Sequence, residues 1–198
     1  MRALVRLNRK VGTVIARLLG HLGLGLAIGL STPALATEPA GAGERMLAIG
    51  VFAHDRGFAS DDHENGVDLN LEVLFAPLDL LGSPRPHLGT TLNFVGDTST
   101  VYAGLGFQFI EHAPWFVDLL LGVAAHNGPL HKDPLECDLY SDCGYGIRLV
   151  PRFGLEAGYR VSPDASVSLY YSHMSHKWII GGENEGLEHV GLRYRRPF

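Results

Sequence analysis

An alternation of apolar and polar residues along most of the chain constrains its fold more than any other feature of the sequence. Successive side chains of a β-strand point to opposite faces, so a period of two collects the apolar residues on one face. Helical periodicity is weak, and eight segments carry the alternation. These segments are residues 47–51, 67–75, 88–94, 101–109, 115–123, 147–159, 167–175 and 186–198. The sequence therefore predicts an all-β protein.

The composition of the second face distinguishes a membrane barrel from a soluble sandwich. A soluble protein wets its polar face, whereas this face mixes small residues and amides with charges of both signs, which can pair inside a narrow lumen. Its charged residues are Asp68, Glu72, Asp118, Glu156, Arg148, Arg152, Arg193 and Arg195. A soluble lipocalin-like barrel would need the reverse polarity. We therefore predict an eight-stranded antiparallel transmembrane β-barrel of the outer membrane.

The N-terminal segment has the order of a secretory signal peptide. Basic residues are concentrated in the first ten positions, a mostly apolar run follows at 18–30, and small residues precede a cleavage point after Ala36. The apolar run is short and rich in glycine for a membrane anchor. We therefore predict a signal peptide at 1–36, a polar leader at 37–45 and the barrel domain at 46–198.

Net charge and cysteine content limit the partners and the redox chemistry of the chain. A net charge of −5 with 19% charged residues gives no indication of nucleic-acid binding. Cys137 and Cys143 are the only cysteines. Export permits a disulfide between them, which would cross-link a single short loop. Two free thiols or a metal-binding pair are the alternatives, although no second cysteine pair supports the metal.

Closure of an even-stranded barrel predicts which connections face outward. With a periplasmic N-terminus, the connections after odd strands are external and those after even strands are periplasmic turns. The connections at 111–114 and 161–164 are short, as such turns should be, whereas the one at 76–86 is long for a turn. Phe198 ends the chain on a strand, and this resembles the terminal aromatic of outer-membrane barrels.

Three polar side chains interrupt the apolar faces of the last two segments. His173 and Ser175 share the parity of the apolar residues of the seventh segment, and Glu188 shares that of the eighth. Neighbouring antiparallel strands bring all three to one height on the lipid-facing wall. Glu can orient His, and His can take the proton of Ser, as in a serine triad. Since ionisable groups facing hydrocarbon are costly, we predict that the three act on lipid.

The segment HMSHKWIIGGENEGLE resembles the active-site signature of the lipid A 3-O-deacylase family of outer-membrane proteins. That family has a His-x-Ser pair followed by an Asn-x-Gly-x-Glu element, and the matching positions here are His173, Ser175, Asn184, Gly186 and Glu188. The resemblance implies an eight-stranded barrel that hydrolyses the ester of the 3-linked acyl chain of lipid A. It also implies that lipopolysaccharide is the substrate and that the reaction needs neither cofactor nor metal.

One position departs from the family pattern. His176 stands where the family usually has the Asn that helps to form the oxyanion hole. An imidazole N–H could donate to an oxyanion, Asn184 is another donor, and Gly186 would help to position the substrate. A zinc site of His173, His176 and His189 is disfavoured, because odd spacing places His176 on the face opposite His173.

Other functions are compatible with the sequence. A non-enzymatic small barrel could stabilise the envelope or bind a partner through its long loops. A phospholipase or an acyltransferase could use the same trio. Loss of a 3-hydroxy fatty acid from lipid A alone would favour the deacylase. The expected partners are lipopolysaccharide and outer-membrane lipid, and both a monomer and a homodimer fit the sequence.

Overall fold

A computed structural model describes residues 45–59, 64–131, 144–177, 179 and 186–198. Its strands are β1 Met46–His54, β2 Val67–Leu74, β3 Arg85–Asn93, β4 Thr100–His112, β5 Trp115–His126, β6 Leu149–Ser162, β7 Ala165–Met174 and β8 Leu187–Pro197. Outside the described residues lie the predicted signal peptide, the leader up to residue 44, Cys137, Cys143 and Asn184. Within the described ranges, no helix is long and apolar enough to cross a membrane.

The strands form a closed barrel in which each strand pairs with its neighbours in the chain and β1 pairs with β8. Val51 lies opposite both Leu69 and Leu192, so the seam is continuous with the rest of the sheet. Met46 lies opposite Pro197, which places the two ends of the sheet at one rim, here called the terminal end. The connections after β1, β3, β5 and β7 lie at the other rim, here called the loop end. The predicted strand number and order are confirmed.

The two faces of the sheet differ in polarity as the alternation predicts. On the outer wall, apolar side chains such as Val51 and Leu192 are 58% and 69% exposed, whereas Glu72 and Arg193 in the lumen are buried. Phe52, Leu120 and Tyr170 form one of the apolar clusters that fill the lumen between the charges. An apolar outer wall around a packed polar interior is the arrangement of an outer-membrane barrel, and the predicted fold class is confirmed.

Ion pairs across the lumen neutralise several buried charges. Arg193 Nη1 donates to Glu156 Oε2 at 3.0 Å, and Arg193 Nη2 donates to Glu72 Oε2 at 2.9 Å. Arg195 Nη1 donates to Asp118 Oδ2 at 2.6 Å, and Arg195 also binds Glu156. Each carboxylate therefore retains a cationic partner away from water. The predicted interior pairing is confirmed for these residues.

The other predicted interior arginines have different partners. The guanidinium of Arg152 lies 3.7 Å from the centroid of the Tyr102 ring, a cation–π contact, and it also donates to the Tyr170 hydroxyl. Arg148 lies just before β6 and donates to the backbone carbonyl of Gly128. The remaining carboxylate, Asp68, contacts histidines instead. The prediction that these three charged residues pair as Arg–carboxylate bridges was therefore wrong.

The long connection at the terminal end extends the β2–β3 hairpin. Phe75 N donates to Pro86 O at 2.8 Å, and Leu78 N donates to Pro84 O at 2.9 Å, so backbone bonding continues beyond the strand ends. Gly82 has a φ of 78°, a left-handed conformation that glycine adopts without steric cost. Backbone hydrogen bonds therefore order this connection, which is longer than a usual periplasmic turn.

Candidate active site

His173 and Glu188 lie opposite each other in the pairing of β7 with β8, close to the loop end. Both have the outward parity of their strands. His173 Nδ1 lies 3.5 Å from Glu188 Oε1, and the imidazole side chain is 26% exposed. This distance is longer than an ordinary hydrogen bond of about 2.7–3.2 Å, so the two groups interact as a close charge pair. The structure thus brings two of the three predicted catalytic residues together on the outer wall.

The carboxylate of Glu188 is fully buried, although its parity directs it out of the barrel. The segment that follows β1 covers it. Ala59 N donates to Glu188 Oε2 at 2.9 Å, and Glu188 N donates to Asp55 Oδ1 at 3.4 Å. A Cβ at Gly57 would overlap the same carboxylate, so the covering segment needs glycine at this position. The charge is therefore shielded from lipid by the chain itself.

Tyr171 is a member of this site that sequence reasoning did not include. Its hydroxyl donates to Glu188 Oε1, the oxygen that faces His173. The Phe58 ring stacks on the Tyr171 ring with centroids 4.7 Å apart and an interplanar angle of 19°. The parity shared with His173 was the available signal, but a tyrosine near a strand end is equally typical of an interfacial aromatic girdle.

Ser175 follows the last residue of β7 and remains bonded to β6 through its backbone. Its N–H donates to Pro151 O at 3.1 Å. Its hydroxyl oxygen accepts from Lys177 N at 3.4 Å. The side chain is half-buried, and one residue separates it from His173 on the same side of the chain. A proton-transfer contact between Ser175 and His173 stays a prediction.

His176 lies on the inner side of the wall and is buried. Its Nε2–H donates to the carbonyl of Tyr145 at 2.9 Å. This bond ties the end of β7 to the connection between β5 and β6. The structure therefore does not bring this imidazole to the side of the wall on which His173 lies.

Gly186 and His189 take different places around the predicted site. A Cβ at Gly186 would lie 2.9 Å from Cε1 of the His173 ring, so the missing side chain leaves room along this edge of the imidazole. His189 points into the lumen, where its Nε2 lies 3.1 Å from Asp68 Oδ2. Because His173 points outward, the alternative zinc site of His173, His176 and His189 has no support.

The arrangement around His173 is suited to moving a proton at the membrane surface. Nδ1 of the ring faces a buried carboxylate, and the Cε1–Nε2 edge lies beside Gly186, near the end of β7. A carboxylate in this position favours the imidazolium form when the ring accepts a proton. A cavity of ≈ 520 Å³ lies at the terminal end, lined by Asp118 and Arg195 among others. It belongs to the lumen and lies away from this site.

Comparison with known protein families gives a match that covers both the barrel and the candidate site. A protein-family model described as lipid A 3-O-deacylase (PagL) matches residues 56–197, which include β2 to β8 and the residues around His173 and Glu188. A search of curated proteins finds no match.

Solved structures share the architecture at low sequence identity. The crystal structure of the outer membrane enzyme PagL aligns with a TM-score of 0.54 and 17% identity, covering 77% of this chain and 99% of that one. A structure from a study of the de novo design of transmembrane beta-barrels aligns with a TM-score of 0.48 and 15% identity, covering 81% of this chain and 99% of that one. At 17% identity, the likeness to the PagL structure supports the fold alone.

Proposed function

Because the chain belongs to the lipid A 3-O-deacylase (PagL) family of outer-membrane hydrolases, we propose that it removes the 3-linked acyl chain from lipid A by serine ester hydrolysis. The protein is an outer-membrane barrel, so its outer wall is in contact with lipid. We place the loop end at the cell exterior, where lipopolysaccharide resides, and assign catalysis to His173, Ser175 and Glu188.

The observation that carries this proposal is the His173–Glu188 pair on the outer wall. An ionisable pair on a lipid-facing wall carries a free-energy cost that favours a functional role, and here Ala59 and Tyr171 supply two donors that hold the carboxylate. Ser175 follows on the same side of the chain. A lipid that diffuses in the membrane plane would reach these side chains without entering the lumen.

In the first half of the reaction, Ser175 Oγ attacks the carbonyl carbon of the acyl ester while His173 Nε2 accepts the hydroxyl proton. Glu188 stabilises the resulting imidazolium through Nδ1. Collapse of the tetrahedral intermediate breaks the ester C–O bond. The proton passes from Nε2 to the departing lipid A oxygen, which leaves as a hydroxyl, and the acyl group remains on Ser175.

In the second half, a water molecule attacks the acyl-enzyme while His173 Nε2 accepts one of its protons. The fatty acid leaves, and the proton returns to Ser175 Oγ, so that the free enzyme is restored. For the oxyanion we assign Asn184 as the side-chain donor, because Nε2–H of His176 is bonded to Tyr145 on the inner side of the wall. Gly186 keeps space beside the imidazole for the substrate.

The test is incubation of the purified, folded protein with lipopolysaccharide, followed by mass spectrometry of lipid A and of free fatty acid. We expect the loss of one 3-hydroxy fatty acid from lipid A and its appearance as free acid. Ser175→Ala should reduce the rate by at least about 10³-fold. A parallel incubation with phospholipid tests the alternative substrate.

Ser162→Ala is the matched control, because Ser162 is an exposed serine at the terminal end and should leave the rate unchanged. Folding of each variant is checked by the heat-dependent gel mobility of the barrel. Intact lipid A after incubation with the wild type, or full activity of folded Ser175→Ala, would contradict the proposal. Cleavage of phospholipid with lipid A left intact would assign the trio to a phospholipase.

A further inference from the structure

A second cluster of ionisable side chains lies in the lumen near the loop end, where β1, β2 and β8 meet. His54, Asp68 and His189 are all buried there, and the two histidines are partners in the pairing of β1 with β8. His54 Nδ1 lies 2.8 Å and His189 Nε2 lies 3.1 Å from the same oxygen, Asp68 Oδ2. The three ligand atoms all lie within 4.8 Å of one another, so a single ion could contact them all.

The remaining polar atom of each of these groups is held by a further residue. His54 Nε2 lies 2.8 Å from Glu64 Oε2, and His189 Nδ1 lies 3.4 Å from Ser172 Oγ. Asn93 Nδ2 donates to Asp68 Oδ1 at 3.0 Å. Outer partners of this kind orient the ligands of protein metal sites, where a ligating histidine usually donates its other N–H to a carboxylate or another acceptor.

The third ligand atom, His189 Nε2, is buried and directed at the carboxylate oxygen that His54 also contacts. The side chain is 3% exposed.

The charge around the cluster also favours a cation. Glu64 belongs to the segment between β1 and β2, and it accepts from Thr98 N at 2.9 Å and from Thr98 Oγ1 at 2.7 Å. Glu64 Oε2 also lies 2.8 Å from His54 Nε2. Two carboxylates, Glu64 and Asp68, therefore lie against two imidazoles.

We infer that His54 Nδ1, Asp68 Oδ2 and His189 Nε2 bind one divalent cation of the zinc type. Two imidazoles and one carboxylate are a donor set that suits Zn²⁺ and Co²⁺ better than Mg²⁺ or Ca²⁺. On binding, the cation replaces the hydrogen between His54 Nδ1 and Asp68, and that proton passes to solvent. Neutral His189 then carries its hydrogen on Nδ1, towards Ser172 Oγ, which leaves Nε2 free to bind the cation. The ion takes no part in ester hydrolysis: it joins β1, β2 and β8 at the seam of the barrel.

The test uses the full mature protein, free of any histidine tag and treated with chelator, in detergent micelles. Co²⁺ is titrated and followed by visible absorption, and Zn²⁺ is then added as a competitor. We expect one equivalent of Co²⁺ per chain with the intense bands of a low-coordinate site, displacement by Zn²⁺, and a higher unfolding temperature with either ion. Failure of the wild-type protein to take up Co²⁺ would overturn the inference.

Asp68→Asn and His189→Gln should abolish uptake, whereas His112→Gln should not, because His112 is an exposed histidine at the terminal end of β4. Uptake that survives in folded Asp68→Asn refutes the site. X-ray absorption of the zinc-loaded wild type needs no variant. It should show imidazole nitrogens at about 2.0–2.1 Å, and a spectrum without imidazole scattering would equally refute it.

Discussion

Glu156 in the lumen and Glu188 on the outer wall are both fully buried carboxylates, yet their partners differ in kind. Glu156 Oε2 accepts from Arg193 and Arg195, whose charges are fixed at any physiological pH. Glu188 instead faces the imidazole of His173 and the hydroxyl of Tyr171. An imidazole can gain and lose a proton near neutral pH, whereas a guanidinium cannot.

The comparison shows that burial of a charged group does not by itself identify a catalytic site. The lumen carboxylates Glu72, Asp118 and Glu156 are closed off from lipid and bound to permanent guanidinium cations. We therefore expect these ion pairs to contribute to the free energy of unfolding and not to catalysis. Glu188 has a partner that can change its charge, and it lies beside the medium that contains the substrate. Variants of the two carboxylate systems should therefore separate stability from catalysis.

The largest difference is expected for Glu188→Gln. The amide keeps the shape of the side chain but cannot stabilise an imidazolium, so kcat should fall by about 10⁴-fold, as when the aspartate of a serine triad is replaced. The unfolding free energy should change by much less than the activation free energy that corresponds to this loss of kcat. Fatty-acid release from lipopolysaccharide and urea unfolding in micelles measure the two effects on the same preparation.

Glu111→Gln is the matched control for that experiment. Glu111 is an exposed glutamate at the terminal end and is paired with Arg160 at 2.9 Å. Its replacement should leave kcat unchanged. Equal activity of Glu188→Gln and the wild type would remove Glu188 from the mechanism and leave it a structural residue like Glu156.

The second largest effect is expected in the lumen, for Arg193→Met. Loss of the guanidinium leaves Glu72 without its arginine partner and leaves Glu156 with Arg195 alone. Removal of one member of a buried ion pair typically costs about 3–5 kcal/mol. The free energy of unfolding should fall by this amount, while kcat of the remaining folded protein stays close to the wild-type value.

Arg160→Met provides the corresponding control, because the Arg160–Glu111 pair is partly exposed to solvent, unlike the lumen pairs. Its loss should cost no more than about 1 kcal/mol. If Arg193→Met proved no more destabilising than Arg160→Met, the lumen network would not be the main source of stability that the comparison assigns to it.

Much of the fold could be predicted because alternation is a local property of the sequence. Residues such as Val167 and Leu169 reveal their face without knowledge of any partner strand, and closure then follows from the strand number. The connection at 75–84 could not be predicted in this way. It lacks alternation, and its order comes from backbone bonds such as Leu78 N to Pro84 O.

The site could be predicted where it depends on parity and could not where it depends on contacts distant in sequence. Parity placed His173 and Glu188 on one wall, and the pairing of β7 with β8 brings them opposite each other. The cover over Glu188 comes from Gly57 and Ala59, far away in the chain and in a segment without periodicity. For the same reason, parity alone could not identify Tyr171 as a donor to the carboxylate.

The smallest of the three effects is expected from removing a tyrosine hydroxyl. Two tyrosines can be compared, because each donates a hydrogen bond to a buried glutamate. Tyr171 donates to Glu188 Oε1, and Tyr102 donates to Glu72 Oε2 in the lumen at 2.6 Å. A hydrogen bond to a charged group contributes about 1.5–3 kcal/mol. Tyr171→Phe should therefore lower kcat by about tenfold with KM unchanged, because the carboxylate loses a donor that orients it towards His173. Tyr102→Phe should lower the unfolding free energy by about 1.5 kcal/mol and leave kcat unaltered. An equal loss of kcat in both variants would mean that the hydroxyls act through the stability of the barrel, and the distinction between the outer wall and the lumen would not hold for tyrosine.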